Sequence, residues 1–497
     1  MKKRLLITVF GLFYSMTFSS IYAYESLQGP TEMLYWDKEK AYNGYTLFGA
    51  NSNNNSYLID MEGNVINTWS PGKNPRFNEN GNFMDARGND FVELGWDGTT
   101  VWEYTESRKD YNPHHDFVRI FNKKLNAYTT MYIANKNITH AEAIAAGCDP
   151  KGKYDGSSID TIVEIDMGGN IVWEYWFFDH LVQDIDPGKV NFVGKGKTIA
   201  DYPDRMNVNM RPMMRDWLHI NSLDYNQELD QVVANAAQGE FYVIDHGNTF
   251  IPGDPKGSIA LAAGPKGDFL YRFGNPSRYE QGERASTRSN GNKQIDGSHD
   301  IQWIRPGLPG AGNFLVFNNG QGLLERIPSS YIFEINPFFD AKKKDTGNYV
   351  NPPDAGYYKR EPVNQRDTHK STLTISNHVV WIYSPKSSQG FFSHIGSGCQ
   401  RLPNGNTLIC AMTEGHIFEV TGEGDLVWEY INPITSKGVV KVMGDSYPMS
   451  NPAFRAYRYS ADHPALKGKD LTSKGTITEL AVQGKIEQPR ERQGGKK

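Results

Sequence analysis

A six-residue phrase, aromatic and β-branched with a period of two, recurs six times in this 497-residue chain, at residues 64–69, 99–104, 170–175, 268–273, 378–383 and 425–430. Its fullest version reads Asn170-Ile171-Val172-Trp173-Glu174-Tyr175. Alternation at period two is the mark of a half-buried strand. Five copies follow an apolar stretch and a short turn, as Val163-Glu164-Ile165-Asp166 precedes Gly168-Gly169, so the phrase reads as the outer arm of a hairpin. A second hairpin lies upstream, turning at Asn80-Gly81 or Asn404-Gly405, where glycine supplies the positive φ that the turn requires. Two hairpins make a four-stranded sheet. Sheets this small cannot close a core alone, and a fixed number of them stacks as a propeller.

The expected fold class is therefore all-β, a six-bladed β-propeller. Blade two covers about 76–104, blade three 115–176, blade four 219–273, blade five 299–383 and blade six 394–430. Blade one has three strands near 45–48, 57–60 and 65–69. Its missing innermost strand is expected from residues 453–459, which would pair the two ends of the chain and leave no open edge. Because the copies are unevenly spaced, an open sandwich or two β domains is the alternative. The 49 glycines and 26 prolines suit a turn-rich β protein. One short helix is expected at 139–146, capped by Thr139 and ended by Gly147. Each blade adds a layer to one ring, so residues 24–483 are read as a single domain.

Residues 1–23 read as a secretory signal: Lys2-Lys3-Arg4, an apolar run over 5–18, and small Ala23 at the cut. A membrane anchor is the alternative, but the run is short for a span. The expected location is periplasmic or secreted, with no membrane anchor after cleavage. Loss of three basic residues takes the formal charge from −5 to −8, which argues against a nucleic-acid partner. The tail at 484–497 is charged and is expected to be disordered. Of the three cysteines, Cys399 and Cys410 sit on the two arms of the Asn404-Gly405 hairpin. A two-residue turn would set them opposite each other, and an exported protein could then join them as a disulfide. A bulged turn through Pro403-Asn404-Gly405 would shift the register by one and part them. Three cysteines so scattered, Cys148 included, do not suggest a metal site.

Four histidines, His115, His219, His299 and His394, stand at the start of the innermost strands of four consecutive blades. Innermost strands of a propeller begin on one face around the axis, so these imidazoles should converge. Long connections at 135–160, 177–218, 275–298 and 318–330 fall on that face, and long loops on an economical scaffold usually build a site. The long third connection of blade five, 336–377, departs from this pattern.

Several phrases in order, Pro113-His114-His115-Asp116, residues 142–150, Asp179-His180-Leu181-Val182-Gln183-Asp184, residues 216–221, 297–304, 312–320 and 393–409, resemble the bacterial arylsulfotransferases, exported enzymes with a six-bladed propeller. The resemblance implies transfer of a sulfuryl group from a phenolic sulfate donor to a phenol acceptor through a sulfohistidine, with no nucleotide sulfate donor and no cofactor. It implies His394 as nucleophile, His219 and His299 as ligands of the sulfuryl oxygens, and Arg326 as the sulfate-binding arginine. His115, Asn221 and Asn319 are further candidates to touch substrate. The chain departs from the family pattern at Ser298, where glutamine is common, and at residues 321–326, where the arginine follows Asn319-Gly320 at greater distance. Two other readings stay open. Four axial imidazoles suit iron or another transition metal, as in a propeller oxygenase, with Asp116 and Asp300 to orient them. A non-catalytic exported propeller that binds a ligand is the other. The oligomeric state is not legible, and a homodimer is compatible with the sequence.

Overall fold

A computed structural model describes residues 29–152, 155–211, 213–286, 289–320, 329–360, 372–384, 391–443 and 450–486. Six antiparallel sheets form a six-bladed propeller. From the axis outward, blade two runs Arg76–Phe77, Phe83–Arg87, Asp90–Leu94 and Thr100–Thr105. Blade three runs Asn112–Asn122, Ala127–Ile138, Asp155–Ile165 and Ile171–Trp176, and blade four Ile220–Asn226, Gln231–Ala236, Glu240–Asp245 and Tyr271–Phe273. Blade five has His299–Trp303, Phe314–Asn318, Tyr331–Ile335 and Val379–Tyr383; blade six has Gly398–Arg401, Thr407–Ala411, His416–Val420 and Leu426–Ile431. In blade one, Tyr45–Ala50, Asn55–Ile59 and Val65–Trp69 receive Ala453–Tyr459 as the innermost strand, so the ring closes through both ends of the chain.

The repeated phrase has a physical purpose in this ring. Each copy forms the fourth strand of its blade, and its aromatic residue bonds to the next blade. Trp69 Nε1 donates to Gly95 O at 3.0 Å, Trp102 to Met167 O at 2.9 Å, Trp173 to Thr249 Oγ1 at 3.0 Å, Trp381 to Gly422 O at 2.7 Å and Trp428 to Met61 O at 3.0 Å. In blade four, Tyr271 replaces tryptophan and its hydroxyl reaches His378 Nδ1 at 2.8 Å. Four of these joints share a second layer. A glutamate on the third strand sits across from the tryptophan: Glu93, Glu164, Glu334 and Glu419 opposite Trp102, Trp173, Trp381 and Trp428. The next blade supplies a cation that pairs with that glutamate, namely Arg119, His246, Arg401 and Arg458, at 2.6–2.9 Å. The three guanidinium groups lie over the indoles, as close as 4.2 Å for Arg119 on Trp102, and the His246 ring meets Trp173 edge-on at 5.0 Å. Burial of a paired charge against an aromatic face keeps the glutamate solvated by protein.

The first and last described segments lie over the joint of blades six and one. Glu32–Trp36 adds a fifth strand to the outer edge of blade six, a pairing the sequence did not suggest. The helix Ile477–Val482 buries Ile477 and Leu480 in the core shared by those blades, and Glu32 accepts the Thr478 N–H at 2.7 Å. Ile486, inside the expected tail, is buried there too, while 487–497 and the expected signal at 1–23 lie outside the described residues. No helix among the described residues is long and apolar enough to cross a membrane. The helix expected at 139–146 is present as His140–Ala145, with Thr139 and Glu142 forming a reciprocal cap.

The long third connection of blade five folds back as a hairpin, Tyr357–Arg360 with Leu373–Ser376, and buries Leu373 and Ile375 between blades four and five. Asn290 and Gln294 hydrogen-bond the Thr374 and Ser376 backbone, so the hairpin braces the link that leads to His299. The cysteine pair adopts the bulged register. Cys399 lies opposite Ile409 and Cys410 opposite Gly398, so the two thiols face different blade interfaces. The disulfide between Cys399 and Cys410 is therefore not formed, and both are free thiols.

Candidate functional site

Where the innermost strands begin, a cavity of about 600 Å³ opens on the axis, and His115, His219, His299 and His394 all line it. They come from blades three, four, five and six. His115 lies within its innermost strand, whose pairing starts earlier than the sequence suggested, at Asn112. His299 is the first residue of its strand, His219 immediately precedes Ile220, and His394 stands on the turn before Gly398. The strand starts are irregular: His115, His219 and Asp300 have φ near +55° and Ser397 +82°. Left-handed backbone costs a non-glycine residue roughly 1–2 kcal/mol and breaks the in–out alternation of a strand. The register shifts beside His115 and His299 mark the same breaks.

The four rings differ in their surroundings. His219 Nδ1 is hydrogen-bonded to Asp216 Oδ2, and that bond raises its pKa despite burial. The pair lies on the cavity wall, where the carboxylate favours the charged form of the imidazole. His299 is buried, and burial lowers its pKa to about 4 although Asn319 supports it. Its Nδ1 lies 2.8 Å from both Gly297 O and Asn319 Oδ1, so this nitrogen carries the proton, and Nε2 accepts the Gly396 N–H at 3.3 Å. Both nitrogens of His299 are thus engaged by protein, and a donor role toward substrate requires release of Gly396 and a second proton, on Nε2. His115 is pushed down to about 3, first by burial and then by His114, His219 and His299. His394 is exposed to the cavity. Its turn is fastened by Asn319 Nδ2, which donates to Ser393 O at 2.7 Å and Gly396 O at 3.2 Å, and by Ser330 Oγ, which accepts the Ser393 N–H. One wall of the cavity is polar, with Asp216, Gln238 and Asp296, and the opposite one carries Ile395, Met412 and Phe454.

The sequence candidates do not all arrive at the cavity. Asn319 reaches it only through His299 and the His394 turn. Asn221 is fully buried and spends its amide on Ser298 O at 2.8 Å and on Asn235, tying blade four to blade five. Arg326 lies outside the described residues. Asp116 and Asp300 turn away from the histidines. They flank Arg455, from the closing strand, at 2.8 and 3.4 Å, and Arg76 joins Asp116 at 2.5 Å. Arg455 also donates to Asn221 O at 3.2 Å, so one buried guanidinium plugs the axis and touches blades three, four and five. Among the described residues no group of three or more histidine, cysteine or acidic side chains is arranged to hold a metal ion.

Sequence reading missed three contributors. His114 and Asp160 stand behind His115, with His114 Nε2 3.2 Å from Asp160 Oδ1. The doublet His114-His115 was the available signal, whereas Asp160 carries none. Arg455 was visible only as part of a strand.

A sequence profile of the family Arylsulfotransferase (ASST) matches residues 31–455. No curated protein matches the chain significantly. Among solved structures, similarity extends to a protein of unknown function from Bacteroides caccae, with 10% identity and a TM-score of 0.39 over 84% of this chain and 100% of that one. It extends also to streptogramin B lyase, at 10% identity and 0.34 over 84% and 87%, and to apo AztD from Citrobacter koseri, at 8% and 0.34 over 84% and 98%. These likenesses are distant.

Proposed function

The chain belongs to the arylsulfotransferase family, and on that premise we propose that it moves a sulfuryl group from a phenolic sulfate ester to a phenol through a sulfohistidine on His394. The observation that carries the reading is the meeting of His219, His299 and His394, from three separate blades, in one cavity with the hydrogen-bonded His219–Asp216 pair on its wall. In the first half-reaction a nitrogen of His394 attacks sulfur, the S–O bond to the donor breaks, and the donor leaves as a phenolate. In the second, the acceptor oxygen attacks the same sulfur, the N–S bond breaks, and the imidazole is regenerated. An imidazole suits both steps because it is nucleophilic near neutral pH and departs readily.

Negative charge builds on the non-bridging sulfuryl oxygens in each transition state. The imidazolium of His219 offers a donor with a full charge, held by Asp216. Each such fixed donor is worth about 2.5–4 kcal/mol when water is excluded. His299 joins as donor once its Nε2 takes up a proton and releases the Gly396 N–H, and Arg326, by family resemblance, would add a two-pronged contact. The apolar wall of Ile395, Met412 and Phe454 suits an aromatic ring. The leader-like residues 1–23 support export to the periplasm or beyond, and no nucleotide enters the scheme.

The test is incubation of the purified protein with a chromogenic aryl sulfate and a phenol. Release of the chromophore, dependence of turnover on the phenol, and a mass gain of one sulfuryl group on the peptide containing His394 are expected. A His394→Ala variant that transfers sulfate as fast as the parent overturns the nucleophile assignment. Failure of the parent to turn over any aryl sulfate favours a ligand-binding propeller.

A further inference from the structure

Asp160 and His114 stand in a row behind His115 on the cavity wall. Asp160 is fully buried and fixed by accepting the Ile220 N–H at 3.1 Å. His114 Nε2 lies 3.2 Å from its Oδ1, and His114 Nδ1 lies 2.8 Å from His115 Nδ1, with the two rings perpendicular. We infer that His115, backed by His114 and Asp160, is the base that takes the proton of the acceptor phenol; the inference rests on the sulfuryl-transfer reading and adds the group that activates its second substrate.

The assignment follows from where protons must sit. Between an ordinary carboxylate and an imidazole the proton belongs to the imidazole, the stronger base; burial raises Asp160, and His114 is first among the groups that hold it down. His114 therefore carries its hydrogen on Nε2, toward Asp160, and presents a lone pair at Nδ1. Only an N–H can face that lone pair at 2.8 Å, so His115 is protonated at Nδ1. Its Nε2 is left as an acceptor on the cavity side. The other rings are disposed differently: His219 is tied to Asp216 and holds its proton, and His299 receives Gly396 N–H on Nε2.

Taken alone, His115 would be a poor base. After burial, His114, His219, His299 and Arg455 all disfavour a charge on it. The row removes this difficulty. As the phenol O–H passes its proton to His115 Nε2, the Nδ1 proton of His115 moves to His114 Nδ1. The positive charge then rests on His114, beside Asp160, and not on the ring crowded by cations. The phenol oxygen bonds to sulfur and the N–S bond to His394 breaks; the proton on His114 Nδ1 then returns to His115 Nδ1 as His115 releases its Nε2 proton to solvent through the open cavity, which restores both rings. General bases of this kind contribute about 10²–10⁴-fold, most for the substrates that need them most.

The two half-reactions separate the roles. In stopped flow, the initial burst of a chromogenic phenolate reads formation of the sulfohistidine, and the following rate with a series of acceptors reads its discharge. His114 is only half-buried and His115 is open to the cavity, so His114→Gln and His115→Gln are expected to fold, with melting curves as a check. Both should slow discharge far more than the burst. For phenols of ordinary acidity (pKa ~10) the loss should be about 100-fold, and it should fade for acidic nitrophenols, already ionised when they arrive. Equal slowing for all acceptors, or a burst slowed as much as discharge, overturns the relay while leaving sulfuryl transfer intact. A parent that forms no sulfuryl adduct overturns the sulfuryl-transfer reading and this inference with it.

Discussion

At the residue scale, the site works by pushing neighbouring imidazoles in opposite directions. His115 and His219 have ring centres 4.5 Å apart, yet burial lowers one pKa while the Asp216 carboxylate raises the other. Divergent titration of adjacent groups is how one fold holds a donor and an acceptor side by side at one pH. The contribution of the His219 imidazolium is present below its raised pKa and is lost as pH rises through it. Replacement of Asp216 by asparagine removes the carboxylate, so the alkaline limb of kcat/KM should move to lower pH. A limb in the same place in parent and Asp216→Asn would show that Asp216 does not set the charge of His219. The residues of this site were unevenly legible. His115, His219, His299 and His394 could be read because they share one position in consecutive blades. Asn221 was misjudged because an asparagine in a strand does not disclose which way its amide turns. Asp160 could not be found because its partner lies 46 positions upstream, across a pairing that only the register of Ala127–Ile138 with Asp155–Ile165 establishes.

At the scale of elements, the joints between blades repeat a glutamate, a tryptophan and a cation. Glu93, Glu164 and Glu419 each precede their tryptophan by the same spacing, so this element was written in the sequence beside the phrase that revealed the fold. Trp428 is fully buried, and its indole N–H meets Met61 O across the closing joint. Trp428→Phe should cost about 1–3 kcal/mol in urea unfolding, since it leaves that carbonyl unmatched. One joint differs from the others in using histidine. Burial opposes a charge on His246, but Glu164 and Asp230 lift its pKa to about 9. The unfolded value is near 6.5, so this pair stabilises fully below about pH 6.5 and loses its contribution as pH rises through about 9, a span worth roughly 3 kcal/mol. Urea midpoints should therefore fall over that range in the parent and fall less in His246→Arg, which keeps its charge as the other joints do. The same decline in both proteins would place the pH sensitivity elsewhere.

At the scale of the whole molecule, the ring is completed by seven residues drawn from near the far end of the chain. The need for that strand was legible, because a blade with three strands leaves an edge at the axis. The fifth strand Glu32–Trp36 was not, since pairing at an outer edge leaves no local trace in the sequence. Closure also brings Arg455 to the axis, where it neutralises Asp116 and Asp300, while Arg458 serves the joint of blades six and one through Glu419. The strand and its charges can be separated by experiment. Arg455→Leu keeps the backbone pairing but leaves the buried Asp300 without its cation, while Asp116 keeps Arg76, and should cost about 3–5 kcal/mol while unfolding stays cooperative. Asp300→Asn in the same chain should recover part of that loss. A chain ended after Pro452 loses pairing and charges together. Tyr45–Ala50 is then an open edge facing the axis, and no single sharp unfolding transition is expected by circular dichroism. A truncated protein that melts as sharply and as late as the parent would mean that the other contacts between blades one and six hold the ring, with Ala453–Tyr459 merely resting upon it.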